Sequence, residues 1–70
     1  MVDFLRDFIK VLRLSDVRVS SSETIDAMRV SSLIGLKDKN LLKQSLSQSL
    51  AKSMREKEIF ADCFDNFFKE

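Results

Sequence analysis

Near the end of the chain three apolar doublets, Ile59-Phe60, Cys63-Phe64 and Phe67-Phe68, recur at four-residue intervals. On a helix such doublets stack as successive layers of one face. Each four-residue step overshoots a full turn by about 40°, so the face swings round as it climbs. It comes to cover roughly half the helix circumference, wider than the ~100° stripe of an ordinary surface helix. A helix of this kind must bury its face against more than one neighbour.

The rest of the chain shows the same period. Leu5, Phe8, Ile9 and Leu12 sit at i, i+3, i+4 and i+7, with Phe4 and Val11 broadening the stripe, and predict a first helix over 2–14. Asp3 near its start and Arg13 near its end suit the helix dipole. Ser15 to Val19 alternates as an extended connection would, with Val17 and Val19 expected to pin it to the core. Ser20-Ser21-Ser22-Glu23 matches a capping box and opens a second helix over 21–34. Ile25, Met28 and Leu33 are expected to face inward, Ala27 and Val30 to lie on the flanks, and Asp26 and Arg29 to face outward. Gly35 is expected to end this helix in a left-handed conformation, with Ile34 and Leu36 packing across the stop. Asp38 then caps a third helix over 39–52, where Leu42, Leu46 and Leu50 form one row with Ser45 and Ser49 beside it. Ser53-Met54-Arg55-Glu56 reads as a second capping box, starting a fourth helix over 54–69. That helix lacks a Gly or Pro stop, and Glu70 adds negative charge at its negative end, so the natural polypeptide is expected to continue. The fold class predicted is all-α: one domain over 1–70, a four-helix bundle or an orthogonal array of short helices.

Composition narrows the chemistry. A 70-residue chain buries a small core and commonly needs well-packed helices, disulfides, metals or partners. Cys63 is the only cysteine and there is no histidine, which excludes an intrachain disulfide, a His/Cys zinc site and a Ser-His-Asp triad. One glycine rules out a phosphate-cradling Gly-rich loop. Cys63 lies within the apolar face, where it reads as packing and not as a nucleophile. The pairs Asp3/Asp7 and Asp62/Asp65 alternate with apolar layers and should point to solvent. Capping and packing account for Ser20, Ser45, Ser49 and Ser53. No catalytic residue, cofactor, metal or small-molecule substrate is therefore expected. No apolar run approaches the ~18–20 residues of a bilayer span, and the start Met1-Val2-Asp3-Phe4 lacks an uninterrupted apolar stretch. With a lone cysteine this suits a reducing, cytoplasmic setting.

The net charge is +1, but residues 37–57 carry six basic and two acidic side chains, and 58–70 four acidic and one basic. Such asymmetry can orient a domain in an assembly, although it is also ordinary for solvated helix surface. The second helix, Gly35 and the third helix share the outline of a helix-turn-helix, with Lys39, Lys43, Gln44, Ser47 and Gln48 of types that contact phosphates and bases. Against a nucleic-acid role, this face has no arginine and the last helix is acidic.

The ordered set of these features resembles the N-terminal region of the CoxE-like, von Willebrand factor A (VWA) domain-containing proteins of bacteria. It is carried by Phe4-Leu5 and Leu12-Arg13, then Val19-Ser20, Glu23 and Asp26-Ala27. Asp38, Leu46, Ser49-Leu50-Ala51-Lys52, Phe60 and Phe64-Asp65-Asn66-Phe67-Phe68 complete it. The resemblance covers nearly the whole chain, and its motifs are mostly packing and capping residues. It implies a module N-terminal to a VWA domain, in a system working with a MoxR-type AAA+ ATPase in protein maturation or remodelling. The VWA metal motif Asp-x-Ser-x-Ser does not occur, since Asp16-Val17-Arg18-Val19-Ser20 lacks the middle serine, so metal binding is not carried over. The leading expectation is a non-catalytic protein-interaction domain, docking onto its own downstream VWA domain or onto the ATPase. Its anchors would be Phe64, Phe67 and Phe68, with Phe68→Ala weakening binding more than folding. The alternative is a small helix-turn-helix DNA-binding domain contacting duplex through Lys39, Lys43, Gln44 and Gln48.

Overall fold

The computed structural model describes residues 3–69, with the side chain of Asp3 excepted. Four helices make up the fold: α1 (Asp3–Leu14), α2 (Ser21–Ile34), α3 (Lys39–Leu50) and α4 (Met54–Phe67). No strand occurs among the described residues, so the all-α expectation holds. The expected first residue of α1, Val2, and the charge at Glu70 lie outside the described residues. The main pairings are α2 with α3 and α1 with α4, and contacts of α3 with α4 and α1 with α2 close the cycle.

Each helix end has a local cause. Ser20 at the α2 N-cap accepts from the Glu23 backbone N–H at 3.3 Å, and the Glu23 carboxylate accepts from the Ser20 N–H at 2.9 Å. This is the reciprocal box expected. The Asp38 carboxylate accepts from the Leu41 N–H at 3.1 Å and starts α3. At α4, the Ser53 hydroxyl accepts from the Glu56 N–H at 3.1 Å, but the Glu56 carboxylate accepts from the N–H of Lys52, at 2.9 Å, one residue earlier than a capping box requires. Ala51 is extended (φ −109°, ψ 122°), so α3 stops at Leu50 and not at Lys52 as expected. The N–H released there is the one that Glu56 takes up. The C-terminal end of α4 is also earlier than expected: Phe68 caps it, and its N–H donates to the Phe64 carbonyl at 3.0 Å.

Two turns require positive φ. Asp16 follows α1 at φ 77°. The Val17 N–H donates to the Leu12 carbonyl at 2.9 Å and the Asp16 N–H to the Arg13 carbonyl at 3.2 Å, which is a Schellman stop with aspartate where glycine is usual. Leu12 and Val17, the residues such a stop brings together, are both buried. Gly35 ends α2 at φ 72°, ψ −164°. The positive φ is as expected, but ψ lies in the extended mirror region that only glycine enters freely, not in the left-handed helical one.

The core lies between α1 and α4 and is closed by the leucine row of α3. Leu5, Phe8, Ile9 and Leu12 are all buried, as their spacing predicts, and so are Leu42, Leu46 and Leu50. Phe60, Cys63 and Phe64 enter from α4, and Val17, Val19 and Ala51 from the connections. Phe4, Val11, Ile59, Phe67 and Phe68 pack against this cluster with part of their surface exposed.

Helix α2 is rotated relative to the expectation. Ala27 and Ser31 are its buried residues, with Val30 and Ile34 half-buried beside them. Ile25, Met28 and Leu33 are exposed at 53%, 40% and 86%, and Leu36 faces water instead of packing across the stop. The cause is volume. The phenyl rings and the leucine row occupy the interior, and α2 approaches α3 through its smallest side chains. One consequence is that the Ser31 hydroxyl is buried without a hydrogen-bond partner.

Candidate functional site

Three surfaces bear on function: the end of the aromatic ridge, the polar face of α3 and the outer face of α2. The ridge is largely interior. Phe8 on α1 is the hub, with ring centroids 5.4 Å from Phe60, 5.8 Å from Phe64 and 5.4 Å from Phe67, all edge-on. Phe64 is 3% exposed, so it has no surface to offer a partner, which corrects its assignment as an anchor. Phe67 and Phe68 are half-buried. Phe68 lies 4.5 Å from Phe64, 5.1 Å from Phe67 and 5.3 Å from Phe4. Its ring also has the Lys39 ammonium 5.8 Å above it. The wide apolar face of α4 is thus covered mainly by α1 and α3, leaving only an edge at its last turn.

The polar face of α3 forms one wall of a groove whose other wall is α4. Asn40, Lys43, Gln44, Ser47 and Gln48 line it opposite Lys57 and Ala61, with the buried Phe60 as floor. Gln44 and Gln48 are exposed, as a reading helix requires. Lys43 is not available in the same way, because its ammonium pairs with Asp65 of α4 at 2.9 Å. Lys39 sits over Phe68. Both lysines assigned to phosphate contact are therefore engaged with α4, whose acidic side chain stands beside the face that would meet the duplex.

The outer face of α2 was not anticipated. Ile25, Met28, Arg29, Ser32 and Leu33 line a shallow apolar depression there. The chain builds it because Ala27 and Ser31 take the inner side, which turns the large aliphatic residues outward. A signal was present in the sequence: small residues at i and i+4, Ala27 and Ser31, mark a face suited to close helix approach. The size of Ile25, Met28 and Leu33 outweighed it.

Electrostatics tie the connections together without building a reactive centre. The Lys52 ammonium pairs with Glu23 and also donates to the Arg18 carbonyl at 3.4 Å. The hydrogen bond from Lys52, followed by that from the Ser20 backbone N–H, holds the Glu23 carboxyl below the usual carboxylate range. Arg13 donates to the Val19 carbonyl at 3.1 Å, and Arg55 pairs with Asp16 at 3.4 Å. Cys63 is buried, with its thiol 3.4 Å from the Ser15 hydroxyl. Among the described residues no group of three or more His, Cys, Asp or Glu side chains is placed to hold a metal ion. Asp7, Asp62 and Asp65 are exposed, as expected. No described helix is long and apolar enough to cross a membrane.

These features define a class: a small all-helical domain with an aromatic core, capped helices and one open apolar face. The family model for the CoxE N-terminal helical bundle domain matches residues 5–70, and the chain belongs to that family. No curated protein and no solved structure matches it significantly.

Proposed function

We propose that the chain is a non-catalytic docking domain, N-terminal to a VWA domain and acting with a MoxR-type AAA+ ATPase in the maturation or remodelling of other proteins. The observation that carries this reading is the outer face of α2. Ile25, Met28 and Leu33 remain exposed although the core is closed without them. Contiguous exposed apolar side chains on a small domain are characteristic of contact surfaces. The docking surface assigned here is therefore α2, and Phe67 and Phe68 supply at most an edge. The family description supports a place at the head of a longer CoxE-like polypeptide. The helix-turn-helix alternative is not favoured, because Lys43 is tied to Asp65.

The test is calorimetry with purified components. The domain is titrated with a VWA domain of a CoxE-like protein and with a MoxR-type AAA+ ATPase. Binding to either, weakened at least about tenfold by Leu33→Asp with an unchanged melting curve, is the expected result. Absence of binding to both, or equal binding by the variant, overturns this reading.

A further inference from the structure

The groove between α3 and α4 carries a ladder of carboxamides. Asn40, Gln44 and Gln48 stand at i, i+4 and i+8 along α3, on the wall that lines it. All three are exposed. None of these side chains has a hydrogen-bond partner among the described residues. A carboxamide donates and accepts at once, as a peptide unit does. Successive rungs are about 6 Å apart along the helix axis, four residues at about 1.5 Å each. Alternate residues of an extended chain present their N–H and C=O groups to the same edge, and two such residues advance about 6.6–6.8 Å. Over the whole ladder the two repeats drift apart by under about 2 Å, which side-chain freedom absorbs.

We propose that this groove binds an extended acidic peptide segment of another protein, with the peptide backbone paired to the three carboxamides. The groove encloses about 550 Å³, within the ~300–1,000 Å³ of ligand clefts, and its ladder spans about five residues of extended chain. Ala61, small and half-buried on the opposite wall, leaves width for that chain.

The acidic preference comes from the lining, which holds two cations and no acid. Lys43 is paired with Asp65 at 2.9 Å, whereas the Lys57 ammonium has no ion-pair partner among the described residues. The chain reverses between Leu50 and Met54, which sets Lys57 at the Gln48 end of the ladder. A carboxylate of the bound segment is therefore expected at that end. Glu58 and Asp62 of the same helix lie outside the lining. Other occupants fit less well. A phosphodiester backbone offers acceptors alone, so it would leave the carboxamide oxygens unmet and find one free cation. An amphipathic helix needs an apolar trough, and the rungs here are polar. The groove shares no residue with the outer face of α2, so either reading stands if the other fails.

The test is selection on this chain from a phage library of random peptides about twelve residues long, displayed in several copies per particle so that weak contacts add. Recovered peptides should share an Asp or Glu and show no helical apolar repeat. They are then synthesised and titrated by fluorescence anisotropy. The double variant Gln44→Ala/Gln48→Ala should bind them at least about tenfold more weakly. Lys57→Gln should remove the preference for the acidic residue over its amide. Gln44, Gln48 and Lys57 are exposed, so melting curves should not move, and Leu33→Asp should bind the peptides as the wild type does. No enrichment over the bare support, equal binding by the double variant, or an acid preference that survives Lys57→Gln overturns the inference. A DNA duplex that displaces the peptides and itself depends on Gln44 and Gln48 assigns the groove to nucleic acid and also overturns it. Loss of the peptides through Leu33→Asp places them on α2, which overturns this site and leaves the α2 reading in place.

Discussion

Glu23 and Lys52 form an ion pair that joins the first turn of α2 to the second residue beyond α3. The same carboxylate accepts from the Ser20 N–H at 2.9 Å, so one side chain both closes a helix cap and ties two elements together. Lys52 can do this because α3 stops at Leu50 and turns Ala51 into extended backbone. The helix end and the tertiary contact are thus one arrangement.

A pH dependence follows. Glu23 is held below the usual carboxylate range, chiefly by Lys52 and then by the Ser20 N–H. Its contribution to stability is therefore fully present above its unfolded value of about 4.3 and is lost as pH falls through the lower folded value. Gln keeps the cap acceptor and removes the charge. The gap in melting temperature between wild type and Glu23→Gln should be largest at neutral pH and close as pH drops below about 4. Salt should narrow it as well, since Lys52 is 55% exposed. A gap that stays constant across the acid limb would show that the charge contributes nothing.

The two positive-φ turns should respond in opposite directions to the same kind of change. Asp16→Gly removes the penalty of a left-handed non-glycine residue and should stabilise by about 0.5–1 kcal/mol. The Arg55 pair lost with it is exposed on both sides and worth little. Gly35→Ala introduces a Cβ that meets nothing within 4 Å, so its cost is purely conformational. That cost should be about 1–3 kcal/mol. Denaturant titration of both variants gives the two signs directly.

The core of α1 and α3 was legible because in each the large apolar residues and the buried stripe coincide. Leu5, Phe8, Ile9, Leu12, Leu42, Leu46 and Leu50 follow helical spacing and all are buried. Helix α2 was legible in its ends but not in its face. Ser20, Glu23 and Gly35 are local signals, fixed by backbone groups a few residues away. Which side turns inward depends on how much room the aromatic cluster leaves, and that is decided by Phe8, Phe60 and Phe64 from elsewhere in the chain. The exposed apolar surface lies on α2 and not on α4 for the same reason. The doublets of α4 are wide because they meet both α1 and α3, so their width reports burial and not a surface held open.

Ser31 offers a stabilising change that reads this packing. Its hydroxyl is buried and unpartnered, and an unmet hydrogen-bonding group of that kind costs about 1–3 kcal/mol. Ser31→Ala removes the hydroxyl at nearly constant volume and adds helix propensity. Melting temperature should rise by several degrees, about 4–8 °C per kcal/mol for a domain of this size. Ser31→Leu should do the reverse, because the α2–α3 approach depends on a small side chain there. A neutral or destabilising Ser31→Ala would mean that the hydroxyl is satisfied in solution.

The division between core and contact surface is tested by comparing Phe68→Ala with Leu33→Asp. Phe68 is half-buried and stands among Phe4, Phe64 and Phe67, at 5.3, 4.5 and 5.1 Å. Truncating it removes these ring contacts and a longer one to Phe8 at 6.3 Å, and opens the last turn of α4, a loss of about 1–3 kcal/mol, less than the 3–5 kcal/mol of a fully buried phenylalanine. Leu33 is 86% exposed, and a charge there leaves every core contact in place. Thermal melts should therefore separate them, with Phe68→Ala lowered by roughly 5–15 °C and Leu33→Asp within a degree or two of wild type. Binding should separate them the other way: per folded molecule, Phe68→Ala retains its partner and Leu33→Asp loses it. A stable Phe68→Ala that no longer binds would return the contact surface to the end of α4. The aromatic edge would then be the anchor, and α2 an inert exposed face.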